Sequence, residues 1–484
     1  MSINPRQQTS PRPVLCQIAS SSDAGESGVA PRRGADDTEA ASKGHEANLR
    51  QRLNNEARID SARKNDMLGS LRWVGHFMSS PNPVADQYSS FPYPEPGDDI
   101  PTWLTSFNYE AYEPAKFSVK FWPEGRPKTD LNILVAGCGS MQAAVIAFNN
   151  PECRVTGIDF SDASIAHEEQ LRERHKLTNL TVRAMDLLGV SDLQQQFDLI
   201  ICTGVLHHLP NPAEGLKALS SVIEPSHGVM LLMLYAKLGR IGIYPLQDAF
   251  RRMCIPQTVE GVAMVRSVIN RLQPRHPGRW YFERSSEMRS PAAIVDTFLH
   301  RQDMAYNVQE LLDLVESSGL KFQGWLDSAP YNIGFPDQDL ESLCKDFPDR
   351  DRWSILEDLT MTRLTTHNFL ACRPERDNNS QIDFDGERWL SYFPTRHPSA
   401  AFSQWTQGKF TREGYEFELS SAEAALFVEA DGRQAVFALL KHRRFAAMAQ
   451  GERLALARAF YERMWRHGHM FFSAIPVKAR SNRS

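Results

Sequence analysis

The chain predicts an α/β fold: an open, mainly parallel sheet with helices on both faces. Three observations predict it. Five short apolar runs recur between residues 131 and 236, separated by segments with helix caps or helical periodicity. The first run ends in Gly-Cys-Gly at the mouth of a helical segment. Strands that alternate with helices in this way need crossovers, and crossovers put helices on both sheet faces.

LNILVAG, from residue 131, is the first buried strand, and MQAAVIAF after it is a short helical run. RVTGIDF is the second strand. SDASIAHEEQLRERHKL is then an amphipathic helix opened by Ser161 or Asp162 as N-cap. LTVRAMDL and FDLIICTGV are the third and fourth strands. Asn211 and Pro212 open the next helix as cap and first helical residue, and GVMLLMLYA is the fifth strand. Residues 237–305 interrupt the rhythm with two helical patterns followed by a loop and helix. Asn307 to Glu310 is a capping pattern before LLDLVES, which Gly319 closes. FQGWLD and NFLACRP are the sixth and seventh strands, separated by a helical insertion at 336–365.

The rest of the chain divides by texture. Residues 1–66 are rich in Ser, Ala, Gly, Gln and charge and read as a disordered arm. Residues 67–125 interleave aromatics with prolines and read as an irregular cap packed on the next domain. The sheet domain spans 126–375. A small α+β module, 380–484, follows and is expected to end in a hairpin. Residues 433–484 carry 11 Lys or Arg against 2 Glu, a local net of +9.

Composition narrows the function classes. A chain of 484 residues, 42% hydrophobic and 23% charged, can bury a large core. A formal net charge of −5 gives no whole-protein attraction to nucleic acid or anionic membrane. The seven cysteines form no Cys-x-x-Cys pair, which argues against a zinc site or disulfide framework and fits a reducing compartment. No apolar run reaches the ~18 residues of a membrane span. Cytoplasmic location and no metal are the expectations.

The glycine turn carries the chemistry. It is expected to present free backbone N–H groups beyond the carboxyl end of the first strand. Counted from Gly137, the sixth residue is Gln142, so the dinucleotide fingerprint G-x-G-x-x-G/A fails, and no G-K-S/T follows for a P-loop. Asp159 closes the second strand and can accept both ribose hydroxyl protons. Asp186 closes the third and can accept from an adenine amine. Together they outline an adenosine site without a pyrophosphate.

This set resembles the class I S-adenosylmethionine-dependent methyltransferases. AGCGSMQ matches their first motif, GIDFS the ribose motif, MDLL the adenine motif and VLHHLPNPAEGLKAL the fourth-strand segment. The resemblance is strong over about 130–236 and looser beyond. It implies a Rossmann-like seven-stranded methyltransferase sheet with an antiparallel last strand, and S-adenosyl-L-methionine as cofactor. Gly137 and Gly139 would admit its methionine part, Asp159 hold the ribose and Asp186 the adenine amine. Two residues depart from the pattern: Val135 stands where an acid is common, and Met141 where a third glycine is common.

Methyl transfer from a sulfonium is an in-line displacement, so positioning supplies most of the acceleration. His207 and His208 are the catalytic candidates, with packing the expected role and a general base needed only for a protonated acceptor. Tyr88, Tyr93 and Trp103 in the cap, and His300 and Tyr306 beyond the fifth strand, are candidates for the acceptor pocket, weighed against plain core packing. Arg240 could bind an acidic acceptor, but a solvated surface arginine is expected. The C-terminal module loosely resembles winged-helix modules that bind peptide leaders. Its basic face leaves an acidic partner open. The expected activity is methyl transfer to a small-molecule or peptide acceptor. The alternative is a non-catalytic binding or regulatory protein that retains the fold and acts through the C-terminal module. No Asn-Pro-Pro-Tyr tetrad follows strand four, which disfavours base and glutamine acceptors.

Overall fold

A computed structural model describes residues 87–88, 90–92, 97–106, 114–332, 343–344, 346–360, 364–376, 382–404, 408–412 and 415–477. The predicted arm at 1–66, Tyr93 and the start of the 336–365 insertion lie outside the described residues.

The main sheet is built from β1 (Asn132–Ala136), β2 (Arg154–Asp159), β3 (Leu180–Ala184), β4 (Leu199–Thr203), β5 (Val229–Ala236), β6 (Ala305–Tyr306), β7 (Lys321–Trp325) and β8 (Thr366–Cys372). Its order is β3-β2-β1-β4-β5-β8-β7, with β6 pairing β5 off this path. The first five strands are parallel, and β8 runs antiparallel between β5 and β7. The antiparallel last strand is as the sequence predicts. The two-residue β6 is an addition too short to leave a pattern.

Alternation along each strand sorts side chains to two cores. Ile133, Val135, Leu199, Ile201, Val229 and Leu231 face one cluster. Leu134, Ala136, Ile200, Cys202, Met230 and Leu232 face the other. All twelve are fully buried, each worth about 1.5–3 kcal/mol for the larger side chains. A sheet buried on both faces needs such unbroken apolar strands.

Helices α1 (Ile100–Ser106) and α2 (Pro114–Phe121) precede the sheet. The cap is therefore more regular than the sequence suggested. Pro101 and Pro114 sit in first turns, where a missing N–H costs nothing, and Asp99 accepts from the Thr102 amide at 3.0 Å. Helices α3 (Gln142–Asn149), α4 (Asp162–Arg174) and α5 (Pro212–Val222) are the crossovers; Ser161 caps α4 and Asn211 occupies the N-cap of α5.

Residues 237–305 form a helical cover with its own core of Ile243, Leu246, Phe250, Val262, Val265, Ile269 and Phe298. It contains α6 (Tyr244–Arg252), α7 (Val259–Arg271), α8 (Pro277–Arg284) and α9 (Pro291–Ile294), and α9 runs into a π turn at Val295–Leu299. Helix α10 (Val308–Ser317) starts with the full Asn307–Glu310 capping box. Helix α11 (Asp349–Thr360) lies between β7 and β8.

The C-terminal part packs around Trp389, Tyr392, Phe410, Phe427, Tyr461 and Phe472. Strand β13 (Met470–Ser473) pairs antiparallel with β9 (Phe393–Arg396), while β10 (Ala401–Gln404), β11 (Lys409–Arg412) and β12 (Tyr415–Glu418) form a separate antiparallel sheet. The expected closing hairpin is thus replaced by a pairing across the module. Between β12 and β13 lie α12 (Ser421–Val428), α13 (Val436–Leu439) and α14 (Gln450–Arg466). The module joins the sheet domain through Phe471, which packs into its core against Phe117, and through polar contacts. Arg412, fully buried, donates from Nη2 to both carboxylate oxygens of Asp327 at 2.6 and 2.7 Å. The Ala474 amide and Ser473 hydroxyl both donate to the Pro123 carbonyl. Among the described residues no helix is long and apolar enough to cross a membrane.

Candidate functional site at the carboxyl ends of the strands

The β1–α3 turn is held by its own backbone. The amides of Gly137 and Cys138 both donate to the Ile158 carbonyl, at 2.8 and 2.9 Å. The Gly139 amide donates to Asp159 Oδ2 at 2.9 Å. The Ala143 and Ala144 amides at the start of α3 donate to the two carboxylate oxygens of Glu168, both at 2.9 Å. The expectation of free N–H groups therefore fails at these five positions. A phosphate would meet a fully buried carboxylate where dinucleotide folds present open amides. The turn suits a ligand without phosphates.

Both glycines have positive φ, +72° at Gly137 and +57° at Gly139. A Cβ on Gly137 would come 2.1 Å from Val205 Cγ2, so β4's following segment packs directly on the turn. A Cβ on Gly139 would meet nothing within 4 Å. Gly139 thus borders open space beside Asp159.

Asp159 also accepts from the Ser161 amide through Oδ1 at 2.9 Å. Each of its oxygens keeps a further acceptor site for a ligand hydroxyl. Burial pushes its carboxyl above the usual range, and the Ser161 and Gly139 amides oppose this. Asp186 sits one strand over: Asp159 pairs in register with Ala184, and the Met185 amide donates to the Asp159 carbonyl at 2.8 Å. Asp186 is exposed and accepts from the Leu188 amide at 2.8 Å. The two acids therefore stand at adjoining strand ends on one edge of the sheet.

Met141 points away from this crevice. Its side chain is 2% exposed, and its sulfur accepts from the Gly97 amide at 2.9 Å. Gly97 in turn sits against Trp103 and Met141, where a Cβ would fall 2.8 and 3.3 Å from them. The methionine in place of a third glycine anchors the N-terminal cap to the turn. Trp103 belongs to this contact. Val135 is core, and Glu168 reaches the turn from α4 instead. Burial lifts Glu168 to about 8 against the two amides it accepts from.

Beyond β4 and β5 lies a buried polar cluster. His207 and His208 occupy a 3-10 turn at Leu206–His208 and are 0% and 7% exposed. His207 stacks on Tyr235, centroids 3.8 Å apart; neither of its ring nitrogens has a hydrogen-bond partner beyond an approach to the Met233 backbone. His208 stacks on His300 at 4.0 Å. Tyr88 from the cap donates to Asp296 Oδ1 at 2.7 Å and lies 3.3 Å from His208 Nε2. Tyr235 donates to Asp296 Oδ2 at 3.0 Å. Burial lowers all three histidines below the ordinary imidazole range, and Asp296 and Asp303 oppose it at His208.

Arg240 corrects the surface reading: it is 3% exposed, with its guanidinium 3.6 Å above the Tyr235 ring. It follows β5 into the helical cover rather than into solvent. Tyr306 is brought instead to the core layer of Val308 and Leu311; its side chain makes no hydrogen bond or ring contact to the cluster.

Sequence reasoning missed Glu168, Tyr235, Asp296, Gln302 and Asp303. Two left signals. Ser164, Glu168 and Leu171 share a buried face at i, i+4, i+7. Asp296 is a lone acid in the apolar run AAIVDTFL, inside a π turn, a feature frequent at functional sites.

A Gly-x-Gly turn clamped to β2, adjoining acids on β2 and β3, and an antiparallel β8 beside β5 make up a Rossmann-like methyltransferase fold. Residues 127–240 match the family model described as a methyltransferase domain. The chain is 31% identical over 280 residues to an uncharacterized protein of Synechococcus, covering 54% of this chain and 64% of that relative. Over 95 residues it is 28% identical to the ubiquinone biosynthesis O-methyltransferase of Coxiella burnetii, covering 19% of this chain and 39% of the enzyme. The chain thus spans less than two thirds of the length of the curated relatives it matches. Among solved structures, PKMT2 from Rickettsia typhi has a TM-score of 0.56 at 16% identity, covering 76% of each chain. That share exceeds the sheet domain alone, so the likeness of fold extends beyond it.

Proposed function

We propose that the protein is an S-adenosylmethionine-dependent methyltransferase acting on a small-molecule or peptide acceptor. The observation that carries this reading is the Asp159 carboxylate, clamped by the Gly139 and Ser161 amides beside the open space at Gly139. Asp159 receives the ribose hydroxyls, Asp186 the adenine amine, and the face of Gly139 the methionine part. The occupied start of α3 disfavours a nicotinamide dinucleotide, which needs those amides for its pyrophosphate.

The buried cluster of His207, His208, Tyr88, Asp296, His300 and Arg240 follows β4 and β5 on the same edge of the sheet and forms the acceptor side. The relatives fit: the Coxiella protein is named an O-methyltransferase, and the Rickettsia protein has been solved in complex with AdoHcy. Val135 and Met141, the grounds for a non-catalytic alternative, both belong to the core and leave the turn intact. The test is transfer of labelled methyl from S-adenosylmethionine into a cell extract by the purified chain. Label above a no-enzyme control, lost in Asp159→Ala, is expected. Absence of label together with absence of cofactor binding sinks the reading.

A further inference from the structure

On the acceptor side the fold leaves hydrogen-bond donors without partners. Arg240 Nε and Nη2 make no hydrogen bond, and Nη2 is held only by a longer ion pair with the buried Asp303 carboxylate, 3.6 Å away. His300, 2% exposed, accepts from the Gln302 amide through Nδ1 at 3.1 Å. A backbone N–H only donates, so Nδ1 is bare and the neutral ring carries its proton on Nε2. That Nε2 has no partner. His208 is the mirror case. Its Nδ1 lies 3.1 Å from the Gln302 carbonyl, which only accepts, so the proton is on Nδ1 and Nε2 is bare. The Tyr88 hydroxyl beside Nε2 sends its proton to the closer Asp296. Gln302 Nε2 also donates to the His208 carbonyl at 2.8 Å, tying the two segments together.

We propose that Gln302 sets His208 and His300 in opposite neutral tautomers, one a base and one a donor, and that with Arg240 they receive a hydroxyl flanked by a second oxygen. The proposal rests on the methyltransferase reading above. The acceptor O–H breaks and its proton goes to His208 Nε2. The oxygen's electron pair bonds the methyl carbon as the C–S bond breaks, and that pair returns to sulfur. S-adenosylhomocysteine leaves, and the imidazolium gives its proton to solvent. His300 Nε2–H and the two Arg240 N–H groups hold the neighbouring oxygen. An alkylammonium, with three donors and no acceptor, would face three more donors. His208 is the catalytic residue and Gln302 a positioning residue. His208, Asp296 and His300 lie close enough to share a cation. However, the His300 Nδ1 already accepts the Gln302 amide and its Nε2 carries the ring proton, so the neutral ring offers no free lone pair to a cation.

His208 titrates among His207, His300, Tyr88, Tyr235, Arg240, Asp296 and Asp303, so a spectroscopic readout separates tautomer from charge. The full chain, with ring-15N histidine and saturating S-adenosylhomocysteine, is followed by two-bond 1H–15N spectra at about pH 7, where free imidazole is mostly neutral. His208→Asn and His300→Asn supply the assignments. Expected are Nδ1–H on His208 and Nε2–H on His300; the same tautomer on both, or a cationic His208, overturns the pair. Gln302→Pro removes the backbone N–H that donates to His300 Nδ1 and keeps the carbonyl that faces His208 Nδ1, so it is expected to mix the His300 tautomers and leave His208 as Nδ1–H; an unchanged His300 tautomer gives the Gln302 amide a merely structural role. In the extract assay, His208→Asn is expected to lower labelling about 10²–10⁴-fold at unchanged S-adenosylhomocysteine binding, with wild-type label in O-methyl groups. Label in amines, or none despite cofactor binding, overturns the acceptor class. Failure to bind S-adenosylhomocysteine instead sinks the methyltransferase reading and leaves the tautomers to stand or fall separately.

Discussion

At position 141 a methionine does what a glycine there could not: it plugs the cap onto the turn through its sulfur and its apolar stem. Met141→Gly, which restores the commoner third glycine, is therefore expected to lower stability by about 2–5 kcal/mol, the range for large-to-small core changes. Cofactor affinity measured at a temperature where the variant is folded should stay within a few-fold of wild type. The two turn glycines should separate in the opposite way. Gly137→Ala adds a clash with Val205 to the left-handed strain and should unfold the turn. Gly139→Ala carries only the strain, about 1–2 kcal/mol, but puts a methyl into the crevice, so calorimetry should show lost cofactor binding in a folded protein. Glu168 gives a pH signature. Its folded value of about 8 lies above the ordinary 4.5, so the folded state holds the proton more tightly. Its contribution to stability is complete below about 4.5 and is lost as pH rises through about 8. Glu168→Gln should flatten melting temperature against pH across that window. It should also cost about 1–3 kcal/mol, because one helix amide then faces an amide nitrogen.

At the scale of elements, helix ends follow caps that the sequence displays. Asn307 and Glu310 close the full capping box of α10, and Asn307→Ala should cost about 0.5–2 kcal/mol in denaturant unfolding. The strands were legible for the same kind of reason. LNILVAG and FDLIICTGV are apolar throughout because both sheet faces are covered, and alternation then divides them between two cores. The glycine turn, Asp159 and Asp186 were legible because their positions follow from strand ends. Three features were not. Prolines in the cap read as breakers, although Pro101 and Pro114 sit in first turns. Arg240 read as solvated, because a position shortly past the end of β5 gives no hint that a later helical cover closes over it. Glu168, Asp296 and Gln302 act through partners 25, 61 and 94 residues away in sequence, and no local pattern encodes such pairings.

Among the described residues the C-terminal module is joined to the sheet domain by polar links and by Phe471, which packs into the sheet domain's core against Phe117. Arg412 bridges the C-terminal module to Asp327 and to the Gly468 carbonyl. Removing one partner of a buried ion pair strands the other charge. Arg412→Ala should cost about 3–5 kcal/mol, nearer the lower figure because Asp327 keeps a third of its side chain in solvent. Limited proteolysis should then release the module ahead of the sheet domain. The module's positive charge is partly answered within it, through pairs such as Arg463–Glu423 and Arg433–Asp431. The measurement that bears most directly on the central claim is titration calorimetry of the full chain with S-adenosylmethionine, beside Asp159→Ala. Micromolar binding that the substitution weakens by tenfold or more, about 1.4 kcal/mol, is the expected result. No heat of binding, or equal affinity in both proteins, would contradict the account.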